Sequence, residues 1–187
     1  RRQGEITARE ARALGVQQIF APVVDVNNNA ANPVINVRSY GEDPVDVARF
    51  AAAFTEGAQA AGAIATAKHF PGHGDTAVDS HRGLPEINVG RERLNSVEFV
   101  PFRASVNAGV GSVMVGHIAL PQIDPTAVRP LPRNVKSKPT DTDEEDEIIE
   151  ERAAMPATMS PVIGNILRND LKFPGLIVTD ALSMSGL

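Results

Sequence analysis

The strongest constraint on this chain is a repeated pairing of an apolar run with a polar stop. Four short, nearly continuous apolar runs recur: Ile19 to Val26, Ala63 to Ala67, Ser112 to Gly116 and Leu176 to Thr179. Runs of this length and continuity suit strands buried on both faces, which is the situation of a parallel sheet covered by helices. At or just after the end of each stands a residue that can carry charge or move a proton: Asp25, Lys68, His117 and Asp180. In parallel α/β architectures the chemistry gathers at the C-terminal ends of the strands, so these four positions fall where a site is expected.

Helical patterns separate the runs. Ile6 to Leu14 reads as a short helix stopped by Gly15. Asp43-Pro44 opens a second, with Asp43 as cap and Pro44 in the first turn, and Val47, Phe50, Ala51, Phe54, Ala58 and Ala61 on its apolar spacing. Arg91 to Gly109 reads as a third, interrupted or kinked at Pro101. Ser160-Pro161 caps a fourth that carries Ile163, Ile166, Leu167 and Leu171 on one face. The alternation predicts an α/β fold with a parallel sheet. Four strands are fewer than the eight of a closed barrel, so the pattern is that of an open sheet or of part of a barrel.

Composition narrows the classes. Aromatic residues are 4% of the chain against 42% hydrophobic, so an aliphatic, alanine-rich core is expected. There is no cysteine, which excludes thiolate chemistry and disulfides. No run approaches the length of a membrane span. The net charge of −5 is local: eight acidic residues lie between Asp141 and Glu151, and the rest of the chain carries 15 acidic against 18 basic residues. That block falls within Thr126 to Ala154, which has little pattern and is read as an acidic, solvated insertion. Neither a basic stripe nor interleaved aromatics point to nucleic acid. Compartment and oligomeric state are left open.

The chemistry concentrates between Lys68 and His81 (KHFPGHGDTAVDSH), which holds three of the four histidines, two aspartates and a lysine. Pro71, Gly72 and Gly74 make this a loop that leaves a strand. Asp79 and His81 are one residue apart, so on an extended segment their side chains share a side. The carboxylate can then hold one imidazole nitrogen and free the other for acid/base work, or the pair can simply tie the loop together. Asp180 can be a nucleophile, or a cap for a following helix. Lys68 and His69 can bind substrate oxygens, or Lys68 can be a rim ion pair. Arg38 can take an anion or pair with Glu42 or Asp43. Zinc uses such histidines and aspartates, but no histidine pair lies on a helical pattern and His73-Gly74-Asp75 sits among glycines. The run is therefore read without metal or other cofactor.

Lys68 to Pro85 (KHFPGHGDTAVDSHRGLP) resembles the signature loop of glycoside hydrolase family 3, in its bacterial β-N-acetylhexosaminidase branch. Phe20 to Tyr40, Val113 to Pro121 (VMVGHIALP) and Phe173 to Met184 (FPGLIVTDALSM) resemble further segments of that family, in the right order. The resemblance implies a (β/α)8 TIM-type barrel, only partly covered by this chain, with residues 1–187 as a partial catalytic domain and an insertion at about 126–154. It implies Asp180 as nucleophile, His81 as general acid/base with Asp79 as its partner, and Lys68, His69 and Arg38 as residues that hold N-acetylglucosamine. The implied activity is retaining hydrolysis of terminal β-N-acetylglucosamine from peptidoglycan fragments or chitin-type oligosaccharides. A β-glucosidase or glycoside phosphorylase of the same family, or an inactive sugar-binding fragment, are the alternatives. The family's early strands have no counterpart here, so this segment alone is expected to show weak or no activity.

Overall fold

The computed structural model describes residues 1–128 and 153–184. Its main sheet has four parallel strands: β1 (Gln18–Ile19), β2 (Ile64–Phe70), β3 (Ser112–Val115) and β6 (Leu176–Thr179), in the order β1-β2-β3-β6. The short strands β4 (Ala127–Val128) and β5 (Ala153–Ala154) pair antiparallel, so the two ends of the expected insertion stand side by side. The acidic run itself lies outside the described residues. The helices are α1 (Arg2–Ala13), α2 (Pro44–Ala60), α3 (Arg91–Ser96), α4 (Phe99–Asn107) and α5 (Pro161–Asn165). No helix among the described residues is long and apolar enough to cross a membrane.

Local chemistry explains most of these elements. Asp43 caps α2 by accepting the backbone N–H groups of Val45 at 2.8 Å and Asp46 at 3.0 Å, and Pro44 occupies the first turn, where its missing N–H costs nothing. Val47, Ala51, Phe54 and Ala58 are buried on the inner face of α2 as their spacing requires, whereas Phe50 turns outward and stacks on Tyr40 with ring centroids 5.7 Å apart. Ser160 Oγ accepts the Ile163 N–H at 3.2 Å to start α5, which runs on into a π turn, Ile166–Asp170. Helices α1 and α2 touch through glycine: a Cβ on Gly4 would stand 2.2 Å from the Phe54 carbonyl oxygen.

Three expectations change. The first apolar run forms ladder only at Gln18–Ile19. Beyond it the chain still follows β2, with the Thr66 N–H donating to the Ala21 carbonyl at 2.8 Å and the Val24 N–H to the Lys68 carbonyl at 2.8 Å, but Pro22 has no N–H to keep the ladder regular. The second run does not stop at Lys68; β2 carries Lys68 and His69 within the sheet and ends at Phe70. The helix expected over Arg91 to Gly109 is two, broken at Val97 (φ −125°, ψ −76°), and Pro101 sits harmlessly in the first turn of α4.

The core is aliphatic at the sheet but aromatic where β2 meets α4. Phe70 stacks on Phe99 at 5.5 Å and meets Phe102 edge-on at 5.1 Å, all three fully buried. Three of the seven phenylalanines thus meet at one junction, where β2 ends and its loop begins.

Candidate active site

The parallel register aligns the ends of β2, β3 and β6. Lys68 pairs with Met114 and Met114 with Val178; Phe70 pairs with Val115 and Val115 with Thr179. The β2–β3 register slips by one residue between Lys68 and Phe70. A bulge at a strand end re-aims the side chain it carries, and here that residue is His69. The Lys68–His69 peptide is cis.

Asp25, 1% exposed, organises this edge. Its carboxylate accepts the His69 ring Nδ1–H at 2.8 Å, the His69 backbone N–H at 3.2 Å and the His73 backbone N–H at 2.7 Å. A carboxylate this deeply buried is tolerable because its oxygens are met by so many donors. With Nδ1–H committed to Asp25, the His69 Nε2 lone pair faces Arg38, whose Nη2 lies 3.4 Å away. Arg38 also donates to the Val34 carbonyl at 3.2 Å, and among the described residues no ion pair joins it to Glu42 or Asp43. His69 is thus buried, with its free ring nitrogen turned toward Arg38.

Lys68 is half buried beside these charges. Burial pulls its ammonium pKa below the usual lysine value; Arg38 acts in the same direction, while Asp180 and Asp25 oppose. Two cations and two carboxylates therefore gather at the ends of β2 and β6, separated by 112 residues in sequence at Lys68 and Asp180.

The loop after β2 is held firmly at its base. Asn32 Nδ2 donates to the carbonyls of His73 at 2.8 Å and Gly74 at 3.0 Å, while its Oδ1 accepts from Val34 and Ile35. A Cβ on Gly74 would lie 1.7 Å from the Val26 carbonyl oxygen, so only glycine lets the loop pass this close to the β1 side. Arg93 on α3 donates to Asp75 at 3.1 Å and to the buried Glu98 at 3.2 Å. At its exit the loop rejoins the sheet edge beyond β3: the Ala119 N–H donates to the Pro85 carbonyl and the Ile87 N–H to the Ala119 carbonyl, both at 2.9 Å. The loop thus runs from the end of β2 to the segment that follows β3.

On that loop His81 Nδ1 meets Asp79 Oδ1 at 2.7 Å, and Asp79 Oδ1 also accepts the His81 N–H at 2.9 Å. The His81 side chain is 62% exposed, so its Nε2 edge is open. The backbone N–H of His81, more than its ring, holds the Asp79 carboxyl below the usual carboxylate range. Asp79 is therefore an ionised acceptor for the Nδ1–H, and the other ring nitrogen is left for proton transfer.

Asp180 follows β6 directly. Its N–H donates to the Val115 carbonyl at 2.9 Å and its Oδ1 accepts the Ala181 N–H at 2.8 Å. The described residues after it, up to Met184, form a turn in which the Met184 N–H donates to the Ala181 carbonyl at 3.1 Å. His117, fully buried at the end of β3, secures the same segment: its Nε2 lies 3.0 Å from the Ala181 carbonyl, and its Nδ1 3.0 Å from Thr158 Oγ1. A carbonyl only accepts, so Nε2 carries the proton and Nδ1 accepts from the Thr158 hydroxyl.

With this geometry in place, the family is decided by one match. The model of the glycosyl hydrolase family 3 N terminal domain matches residues 1–187. The chain belongs to glycosyl hydrolase family 3. Beta-hexosaminidase A of Pseudoalteromonas piscicida is 39% identical over all of this chain and 30% of its own length. A solved glycoside hydrolase family 3 beta-N-acetylglucosaminidase from Paenibacillus sp. str. FPU-7 superimposes with a TM-score of 0.81 at 40% identity, over 98% of this chain and 30% of that one. A beta-glucoside phosphorylase bound to 2FGlc superimposes with a TM-score of 0.79 at 32% identity, again over 98% and 30%. This family 3 chain thus spans about 30% of the length of these relatives, and its parallel sheet is part of a TIM-type barrel.

Sequence reasoning named Lys68, His69, Arg38, Asp79, His81 and Asp180. It placed Asp25 and His117 at strand ends without giving them a role, and passed over Asn32 and Arg93. A signal existed for Asp25, a lone carboxylate in an otherwise apolar run, and for His117, a histidine right after one. Asn32 had none, because the carbonyls it holds lie more than forty residues away, and Arg93 read as one of several surface charges on a helix.

Proposed function

We propose that this chain carries the nucleophile and the acid/base of a retaining β-N-acetylglucosaminidase, as a partial catalytic barrel domain in which about 126–154 is an acidic insertion. The observation that supports this best is the pairing of an exposed imidazole with an ionised carboxylate on the loop that leaves β2, the strand whose Lys68 feels the charge of Asp180 at the end of β6. Asp180 attacks the anomeric carbon and forms a covalent glycosyl-enzyme. His81, oriented by Asp79, donates a proton to the departing oxygen and then takes one from water, so the configuration at the anomeric carbon is retained. Arg38, held by His69, and Lys68 bind the sugar through its hydroxyl and acyl oxygens. The names of the relatives, a beta-hexosaminidase and a beta-N-acetylglucosaminidase, favour an N-acetylhexosamine donor.

The test is turnover of aryl N-acetylglucosaminide against aryl glucoside by the full-length protein. Asp180→Ala and His81→Ala should each lower kcat by about 10²- to 10⁴-fold, and a slow fluorinated sugar should leave a covalent label on the Asp180 peptide. An active His81→Ala enzyme would overturn the dyad assignment. A phosphorylase is the second reading, supported by the likeness to a beta-glucoside phosphorylase. An imidazole that has given up its proton is uncharged and repels phosphate less than a carboxylate would. Production of sugar 1-phosphate on adding phosphate would decide for it.

A further inference from the structure

Three residues of the loop make a buried relay that the proposed mechanism does not use. The His73 imidazole is 1% exposed, with Nδ1 at 2.6 Å from Thr76 Oγ1 and Nε2 at 3.0 Å from Ser80 Oγ. The direction of each hydrogen bond follows from chemistry. Thr76 gives its own hydroxyl proton to the His73 carbonyl at 3.0 Å, so toward the ring it is an acceptor. His73 Nδ1 therefore carries the proton, Nε2 has the lone pair, and the Ser80 hydroxyl donates to it. Burial, the largest influence, pushes the His73 pKa down; the charge of Arg38 acts the same way and that of Asp25 opposes it, so the ring suits this neutral role. The base of the ring is fixed in turn, because the His73 N–H donates to buried Asp25 at 2.7 Å.

Ser80 stands between Asp79 and His81. Its side chain is buried, 2% exposed, whereas the His81 side chain is 62% exposed and that of Asp79 24% exposed. The segment thus presents an anchor inward and its two neighbours outward. We propose that Ser80 is a positioning residue for the acid/base pair: held by His73 Nε2, it sets the height and angle at which the Asp79–His81 pair meets the leaving group. The inference rests on the dyad reading above. An unanchored segment would still fold and still bind sugar. It would lose the alignment needed for proton donation.

The test uses leaving groups that differ in their need for a proton. In the full-length protein, Ser80→Ala and His73→Asn each remove the Ser80–Nε2 bond, and the carboxamide introduced by the second substitution can still donate toward Thr76. For a phenyl N-acetylglucosaminide, whose leaving group needs the acid, kcat/KM should fall about 10- to 100-fold. For the dinitrophenyl analogue, whose leaving group departs unprotonated, it should change less than about 3-fold. Ser80→Thr, which keeps the hydroxyl, should restore most of the phenyl rate. Equal losses on both substrates would show a merely structural serine and overturn the proposal, as would no loss on either. His81→Ala is the control that separates the two levels. If it fails to discriminate between the leaving groups, the dyad reading itself falls; if it discriminates and the Ser80 and His73 variants do not, only the positioning role falls.

Discussion

Asp25 accepts the Nδ1–H of His69 at 2.8 Å across 44 residues of sequence, and through that bond it dictates which ring nitrogen faces Arg38. The same carboxylate accepts the backbone N–H of His73, so one buried charge fixes both His69 and the start of the loop that carries Asp79 and His81, the proposed acid/base pair. Asp25→Asn keeps the shape but turns one acceptor into a donor facing donors. It should cost about 1–3 kcal/mol of stability in denaturant unfolding and raise KM for N-acetylglucosaminides. Unchanged stability and KM would show that Asp25 is not the hub of this edge.

Gly74 is the narrowest passage of the loop. Gly74→Ala would place its methyl 1.7 Å from the Val26 carbonyl oxygen, which is backbone and cannot rotate away. The loop should lift and the protein lose about 1–3 kcal/mol, with kcat falling more than stability because the dyad rides on the lifted segment. A fully active, equally stable variant would show that the close approach is not obligatory.

Burial lowers the His73 pKa from its ordinary value of 6.5. The folded protein therefore favours the neutral ring, and this contribution is complete above pH 6.5 and lost as pH falls through the lowered folded value. Unfolding midpoints measured across that range should drop toward acid pH in the wild type and drop less in His73→Asn. Parallel curves for the two would contradict a buried neutral His73.

Glu98 has the opposite sign. Burial raises its carboxyl above the usual 4.5, against the charge and hydrogen bond of Arg93, and its Oε2 has no partner among the described residues. The folded state holds the proton longer than the unfolded chain, so the Glu98 contribution is greatest below pH 4.5 and declines as pH rises through the raised folded value. Glu98→Gln should flatten stability over that window while Arg93 keeps its bond to Asp75. A steeper decline in the variant would mean that the Arg93 ion pair outweighs burial.

Much of this arrangement follows from short-range chemistry and so could be read directly. The Asp43 cap, the buried face of α2, the Ser160 cap and the apolar strands depend on neighbours within a few residues. So does the Asp79–His81 bond, since two side chains one residue apart need only an extended turn to meet. The misreadings have physical reasons too. Pro22 cannot donate to a ladder, so the first strand is short. Phe50 finds Tyr40 outside the core, so helical spacing alone misplaces it.

What the order of residues determined by itself is a parallel α/β chain with a polar group at each strand end and an aspartate–histidine pair on the loop after the second strand. Only the tertiary structure decided which groups act together. The strands Lys68, His117 and Asp180 belong to or follow are neighbours because their backbone hydrogen bonds and the apolar core align them, and Asp25, His73 and Ser80 become a relay because buried polar atoms must find partners wherever the fold brings them.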